Sequence, residues 1–290
     1  MTAEARDASV AQSSAKPEAG VITTSTDIVG DALYYRYFEQ AEKVRWKISD
    51  VPWHLLEAER VSPYWKQVIT EVARSELTTF DGTRQFMARF GHDPDFSQWI
   101  AIWLYEETKH PQVLMMWLRH LGVDLDDQFL VKGRQTAQFA ASWLGTLTLN
   151  LIAEMMAAEA YVTLSRYAPE PVLKNLALRI AGDEARHAAH FFGYGQRLVE
   201  RATDLKFERK NALEVLYLWL NTQTRLEHPI GQILHDVEAT DTFRDGVRQG
   251  GFITDQLRDR ICALVGDMIG IPLRGKKDVI RAAIELGRKR

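Results

Sequence analysis

The four-residue phrase Glu-x-x-His occurs twice, as Glu107-Thr108-Lys109-His110 and as Glu184-Ala185-Arg186-His187. Each follows a lone glutamate at a near-equal interval: Glu76 lies 31 residues before Glu107, and Glu154 lies 30 before Glu184. On a helix, positions i and i+3 share a face, so each phrase aims a carboxylate and an imidazole at one point. Glu76, Glu107, His110, Glu154, Glu184 and His187 then form a set of four carboxylates and two imidazoles. That set can hold a pair of metal ions inside a four-helix bundle.

The neighbouring residues argue against solvated helix faces. Trp99, Ile100, Ile102, Trp103 and Leu104 precede the first phrase, and Val113, Leu114, Met115, Met116 and Trp117 follow it. Glu154 sits in the run Trp143-Leu-Gly-Thr-Leu-Thr-Leu-Asn-Leu-Ile-Ala-Glu-Met-Met. A charge in so apolar a run needs a bound metal or a buried ion pair. Glu159 is the alternative ligand in that stretch, but it breaks the equal spacing and lies about 140° away around a helix. Carboxylate-rich donors with one imidazole per metal suit iron, and the spacing leaves manganese open. Zinc sites are richer in Cys and His. The acids preceding each phrase, Asp183 and Glu106, are candidate outer partners, Asp183 for His110 and Glu106 for His187, with Glu106 reading equally as a surface charge. His190 reads as a packed histidine, and Cys262 as a small core residue.

The elements that must position these residues follow from turn signals. Phe90-Gly-His-Asp-Pro-Asp95 and Ala168-Pro-Glu-Pro171 read as turns, each midway between a lone glutamate and its Glu-x-x-His partner. Ligand helices are expected at 62–90, 95–121, 135–168 and 171–202. A lead-in helix is expected at 31–47, broken by Asp50-Val-Pro-Trp53. The Gly-Val-Asp-Leu-Asp-Asp run at 122–127 begins a longer connection between the halves. Further helices are expected over 208–290, with breaks near Pro229, Gly250-Gly251 and Pro272. Residues 1–28 lack apolar periodicity and are expected to be disordered. The fold class is therefore all-α, with 29–290 as one domain.

The run Trp99-Ile-Ala-Ile-Trp-Leu-Tyr-Glu-Glu-Thr-Lys-His-Pro-Gln-Val-Leu resembles a ligand helix of soluble acyl-acyl-carrier-protein desaturases. Ile180-Ala-Gly-Asp-Glu-Ala-Arg-His187 is similar to their Ala-x-Asp-Glu-x-x-His segment. The likeness spans about residues 33–275 and is concentrated at the motifs. Asp-Glu-x-x-His also occurs in other ferritin-like oxygenases and in the small subunit of class I ribonucleotide reductase. The resemblance implies a ferritin-like fold, two iron ions on the six residues above, O2 activation, and oxidation of an unactivated C–H position. It also implies an acyl substrate, free or on acyl carrier protein, an external electron donor such as ferredoxin, and a homodimer. Where the desaturases have a threonine one turn after the third-helix glutamate, this chain has Ala157. That departure widens the expectation from desaturation to hydroxylation or to an oxygenase acting on a small metabolite. A non-catalytic iron-binding or ferroxidase protein is a further alternative. No tyrosine stands near Gly82 and Thr83, two turns past Glu76, so a stable tyrosyl radical is not expected.

Composition narrows the classes further. A chain of 290 residues with 46% hydrophobic content can bury an ample core. A net charge of −3 disfavours nucleic-acid binding, which needs a basic surface. One cysteine fits a reducing cytoplasm. No apolar leader is evident, and the greasy stretch 143–164 contains Asn150, Glu154 and Glu159, so it reads as a buried helix. Trp46 and Trp53 are candidate electron relays or simply core. Phe80, Leu151, Met155, Met156 and Phe191 are candidate lining for a lipophilic substrate. Arg274, Lys276, Lys277, Arg281, Arg288, Lys289 and Arg290 read as a solvated terminal face or a landing patch for an acidic carrier.

Overall fold

The computed structural model describes residues 32–134, 139–221 and 254–288, and among these the chain is all helical. The expected disordered segment 1–28, the breaks at Pro229 and Gly250-Gly251, and the last two basic residues lie outside the described residues. The helices are α1 (Leu33–Val44), α2 (Pro63–Glu76), α3 (Thr79–Phe90), α4 (Pro94–His120) and α5 (Asp127–Gly133). After them come α6 (Trp143–Tyr167), α7 (Pro171–Arg201), α8 (Leu205–Asn221), α9 (Asp255–Ile269) and α10 (Lys276–Arg288). Every one of them contributes buried residues to one apolar cluster.

Four of these helices frame the interior. α4 packs on α2 and α3, α6 lies along α7, and α4 also meets α7. Start signals are local. Asp93 caps α4 by accepting from the Asp95 and Phe96 amides, ahead of Pro94 in the first turn. Ser142 caps α6 through the Gly145 amide. Glu170 caps α7 through the Val172 and Leu173 amides and also accepts from Trp117 Nε1 of α4 at 2.5 Å. One carboxylate thus starts a helix and ties it to a neighbour. α4 stops where Gly122 turns left-handed at φ 75°, with the Val123 amide returning to the Leu118 carbonyl. Asp95 accepts from the Leu33 and Tyr34 amides and so pins the start of α1 to α4.

Three boundaries differ from the sequence expectation. The helix expected over 62–90 is two helices, broken directly after Glu76. Around Leu77 and Thr78 the amides bond three residues back, to Arg74 and Ser75, and the Ser75 and Thr78 hydroxyls bond the Val72 and Ser75 carbonyls. Hydroxyls that bond the preceding turn compete with the helical ladder and bend it. The helix expected from 135 starts at Trp143, because Ser142 supplies the cap. The connection after 122 contains the unforeseen short helix α5, capped by Asp126 at the Phe129 amide. Within α4, Pro111 follows His110 directly, so the helical rung from residue 111 to the Glu107 carbonyl cannot form.

Trp143–Tyr167 is long and apolar enough to cross a membrane, but 72% of its most apolar window is buried against the rest of the protein. It is packed as a core helix. In α10, Val279 and Ala282 are buried while Lys276, Lys277 and Arg281 are exposed, and Asp278 pairs with Arg281.

Replacing Glu170 by alanine strands Trp117 Nε1 and two α7 amides. It should lower the unfolding free energy by about 2 kcal/mol in urea titration, and Glu170→Gln, which keeps an acceptor, should lose less.

Candidate metal centre

Glu76 ends α2, Glu107 and His110 lie one turn apart on α4, Glu154 is midway along α6, and Glu184 and His187 lie one turn apart on α7. All six are buried, and both imidazoles are fully enclosed. They fall into two overlapping groups, Glu76–Glu107–His110–Glu184 and Glu107–Glu154–Glu184–His187. Within each group the ligand atoms lie within 4.8 Å of one another, and each group could hold a metal ion. Glu107 and Glu184 belong to both. Glu159 lies outside both groups and is only half-buried.

The two imidazoles are arranged alike. His110 Nδ1 lies 3.3 Å from Glu184, 3.5 Å from Glu107 and 3.6 Å from Glu76. His187 Nδ1 lies 2.7 Å from Glu107, 3.6 Å from Glu154 and 3.7 Å from Glu184. Despite these short distances, neither Nδ1 makes an aligned hydrogen bond, and Glu107 Oε1 also has none. Buried polar atoms are ordinarily satisfied. Each Nδ1 points between oxygens, where a cation would sit.

The opposite ring nitrogens are anchored. His110 Nε2 lies 3.2 Å from Asp183 Oδ2, and His187 Nε2 lies 3.1 Å from Glu106 Oε2. This cross-helix pairing is the one expected for the two outer acids. Burial opposes their ionisation, but the imidazole contacts prevail, holding Asp183 well below the usual carboxylate range and Glu106 down at about 2. An ionised carboxylate only accepts, so Nε2 must carry a hydrogen. That leaves Nδ1 as the metal-facing atom.

Two cations complete this layer. Arg186 reaches Glu106 at 2.8 Å and Asp183 at 2.7 Å, joining the acids behind both histidines. Lys109, 6% exposed, lies 3.7 Å from Asp183 and 4.5 Å from the centre of the Trp46 ring. Both occupy the residue before the histidine of each phrase. The repeat is therefore acid-Glu-x-cation-His, a longer pattern that would have exposed Lys109 and Arg186 in the sequence. Trp46 donates to Asp183 Oδ2 at 2.8 Å, whereas Trp53 donates to the Ile48 carbonyl and packs on His120, with no contact to the cluster.

Tyr161 was missed. It is buried on α6 and donates to Glu76 Oε1 at 2.5 Å. The expectation that no tyrosine lies near concerned only the stretch after Glu76, around Gly82 and Thr83. The available signal was its place seven residues after Glu154, two turns on and on nearly the same face. Glu154 Oε1 accepts from Trp103 Nε1 at 3.1 Å, and Trp103 packs against Phe191 and Phe86. Met156, expected in a substrate lining, instead accepts from Trp219 of α8, because two residues beyond Glu154 a helix faces the other way. His190 stacks on Tyr37 at 3.9 Å and accepts from Trp99 Nε1, and burial drives it down to about 3. It is a packed neutral histidine.

Electrostatics without a cation are strained. Burial and the charge of Glu184 raise Glu154 well above its usual range. Burial disfavours charge on His110 and His187, yet the surrounding carboxylates outweigh it and raise both well above theirs. Crowding of four carboxylates thus favours the protonated form of Glu154 and of both imidazoles.

No family model and no curated protein matches the chain.

A metal binds only deprotonated carboxylates and neutral imidazoles, so protons compete with it for these ligands. Its affinity should fall as pH drops from about 8 to 6, and binding should release protons in calorimetry with buffers of different ionisation heat; a flat profile would contradict this. Substituting His110 or Glu184 by alanine should leave a helical protein with sharply reduced metal content. Full metal retention in either variant would remove that residue from the site.

Proposed function

We propose that this chain is a ferritin-like di-iron protein that uses O2 to desaturate or hydroxylate an unactivated C–H position of an acyl chain. The observation that carries this reading is the paired imidazoles. Each turns Nδ1 toward two shared carboxylates while Nε2 is anchored to an acid on the opposite helix. Four carboxylates also match two divalent cations charge for charge when the histidines are neutral.

In this reading Glu107 and Glu184 are shared ligands, His110 and Glu76 complete one position, and His187 and Glu154 complete the other. Oxygen donors with one imidazole per ion favour iron or manganese over zinc. Iron held by these six residues would supply the redox chemistry that O2-dependent oxidation of a C–H bond requires. Asp183 and Glu106 hold the imidazoles in one tautomer and one orientation. Trp103, Phe191 and Phe86 form an apolar wall beside Glu154 that keeps water from that half of the cluster. The chain carries no glycine fingerprint for flavin or nicotinamide, so electrons come from an external donor such as ferredoxin. The hydrogen-bonded line Trp46–Asp183–His110 reaches from the segment after α1 to the cluster.

Metal analysis should give about two irons per chain. The reduced, iron-loaded protein should consume O2 when offered free or carrier-bound acyl chains, with products 2 or 16 mass units from substrate by mass spectrometry. Iron oxidation with O2 uptake but no altered organic product would identify a ferroxidase. Turnover of a small metabolite alone would replace the acyl substrate.

A further inference from the structure

The two unshared carboxylates of the cluster are held by different donors. Glu76 Oε1 accepts from the Tyr161 hydroxyl at 2.5 Å, and Glu154 Oε1 accepts from the Trp103 indole at 3.1 Å. A hydroxyl bonded to a carboxylate makes one of the shorter and stronger hydrogen bonds, stronger than a longer indole contact. The backbones differ as well. Glu154 stands mid-helix, whereas Glu76 is the last residue of α2, at a break where the ladder shifts to bonds three residues back. Glu76 therefore has the looser main chain and the firmer side-chain anchor. With Oε1 engaged by Tyr161, Oε2 is the oxygen facing His110 Nδ1, at 3.6 Å.

We propose that Tyr161 is a positioning residue that confines Glu76 to ligation through one oxygen, making the two metal positions inequivalent. Glu76 is the fixed carboxylate of the pair, and Glu154 is the one free to change its mode of ligation. Tyr161 spans from α6 to α2 to do this, so the helix that carries Glu154 also governs the opposite position. The inference rests on the two-metal reading of the cluster.

Cobalt(II) tests it without turnover, because its visible absorption weakens as coordination number rises. The wild-type protein should bind two cobalt ions with distinguishable bands, and the band lost in His110→Ala marks the Glu76 position. In Tyr161→Phe that band should lose intensity as Glu76 becomes two-oxygen, and affinity there should change by about tenfold, the scale of an outer-layer partner. Trp103→Phe should leave it in place. A fluorinated phenol at position 161, which preserves the packing and strengthens the donor, should shift the same band the opposite way; circular dichroism and melting confirm the fold. Two cobalt ions with an unchanged band in both the Tyr161 variant and the fluorinated protein overturn the inference alone. A wild-type protein that binds no cobalt, or a single ion, overturns the two-metal reading and the inference with it.

Discussion

Four carboxylates cannot all remain charged in a dry interior unless positive charge is brought among them. Glu76, Glu107, Glu154 and Glu184 are enclosed by four helices, and their side chains nearly touch. Burial and the charge of Glu184 push Glu154 up, and the surrounding carboxylates push both imidazoles up, so proton binding is favoured among them. That is a costly way to keep a cluster whose members could have been leucines. The surrounding fold is arranged to keep the acids there. Glu170 and Ser142 start α7 and α6, and Trp117 bolts α4 to the cap of α7. The register of the facing glutamates is thereby fixed from the helix ends.

Behind the cluster, charge alternates outward. Imidazoles meet Asp183 and Glu106, and these acids meet Arg186 and Lys109. Each layer keeps the next in a defined protonation state. Arg186 contacts both acids, so the two halves are coupled behind the histidines as well as through Glu107 and Glu184.

Much of this was legible in the sequence because helical periodicity is rigid. A Glu-x-x-His phrase fixes which side chains share a face, and equal spacing about a turn fixes their height. The pairing of Asp183 with His110 and Glu106 with His187 was suggested by position beside each phrase, although Glu106 read equally as a surface charge. What escaped reading depended on contacts between helices or on weak local competition. Tyr161 reaches Glu76 from a different helix, so no spacing relative to Glu76 announces it. The break after Glu76 comes from Ser75 and Thr78 hydroxyls, which compete with the backbone by small margins. An apolar residue near a ligand, such as Met156 beside Glu154, does not announce which neighbour it packs on; Met156 meets Trp219 of α8. Lys109 and Arg186 are legible only in the five-residue acid-Glu-x-cation-His repeat, which the four-residue phrase cuts short.

Pro111 gives the shared ligand Glu107 an unusual footing. With no amide hydrogen at 111, the turn bearing both Glu107 and His110 lacks one of the struts that set helical pitch. The spacing between the two pockets is thus attached to a spring softer than the rods on either side. A scaffold that must accept ions of different radius, or the same ion before and after it changes charge, gains from having its compliance placed at one of the two carboxylate-bearing turns that both pockets share.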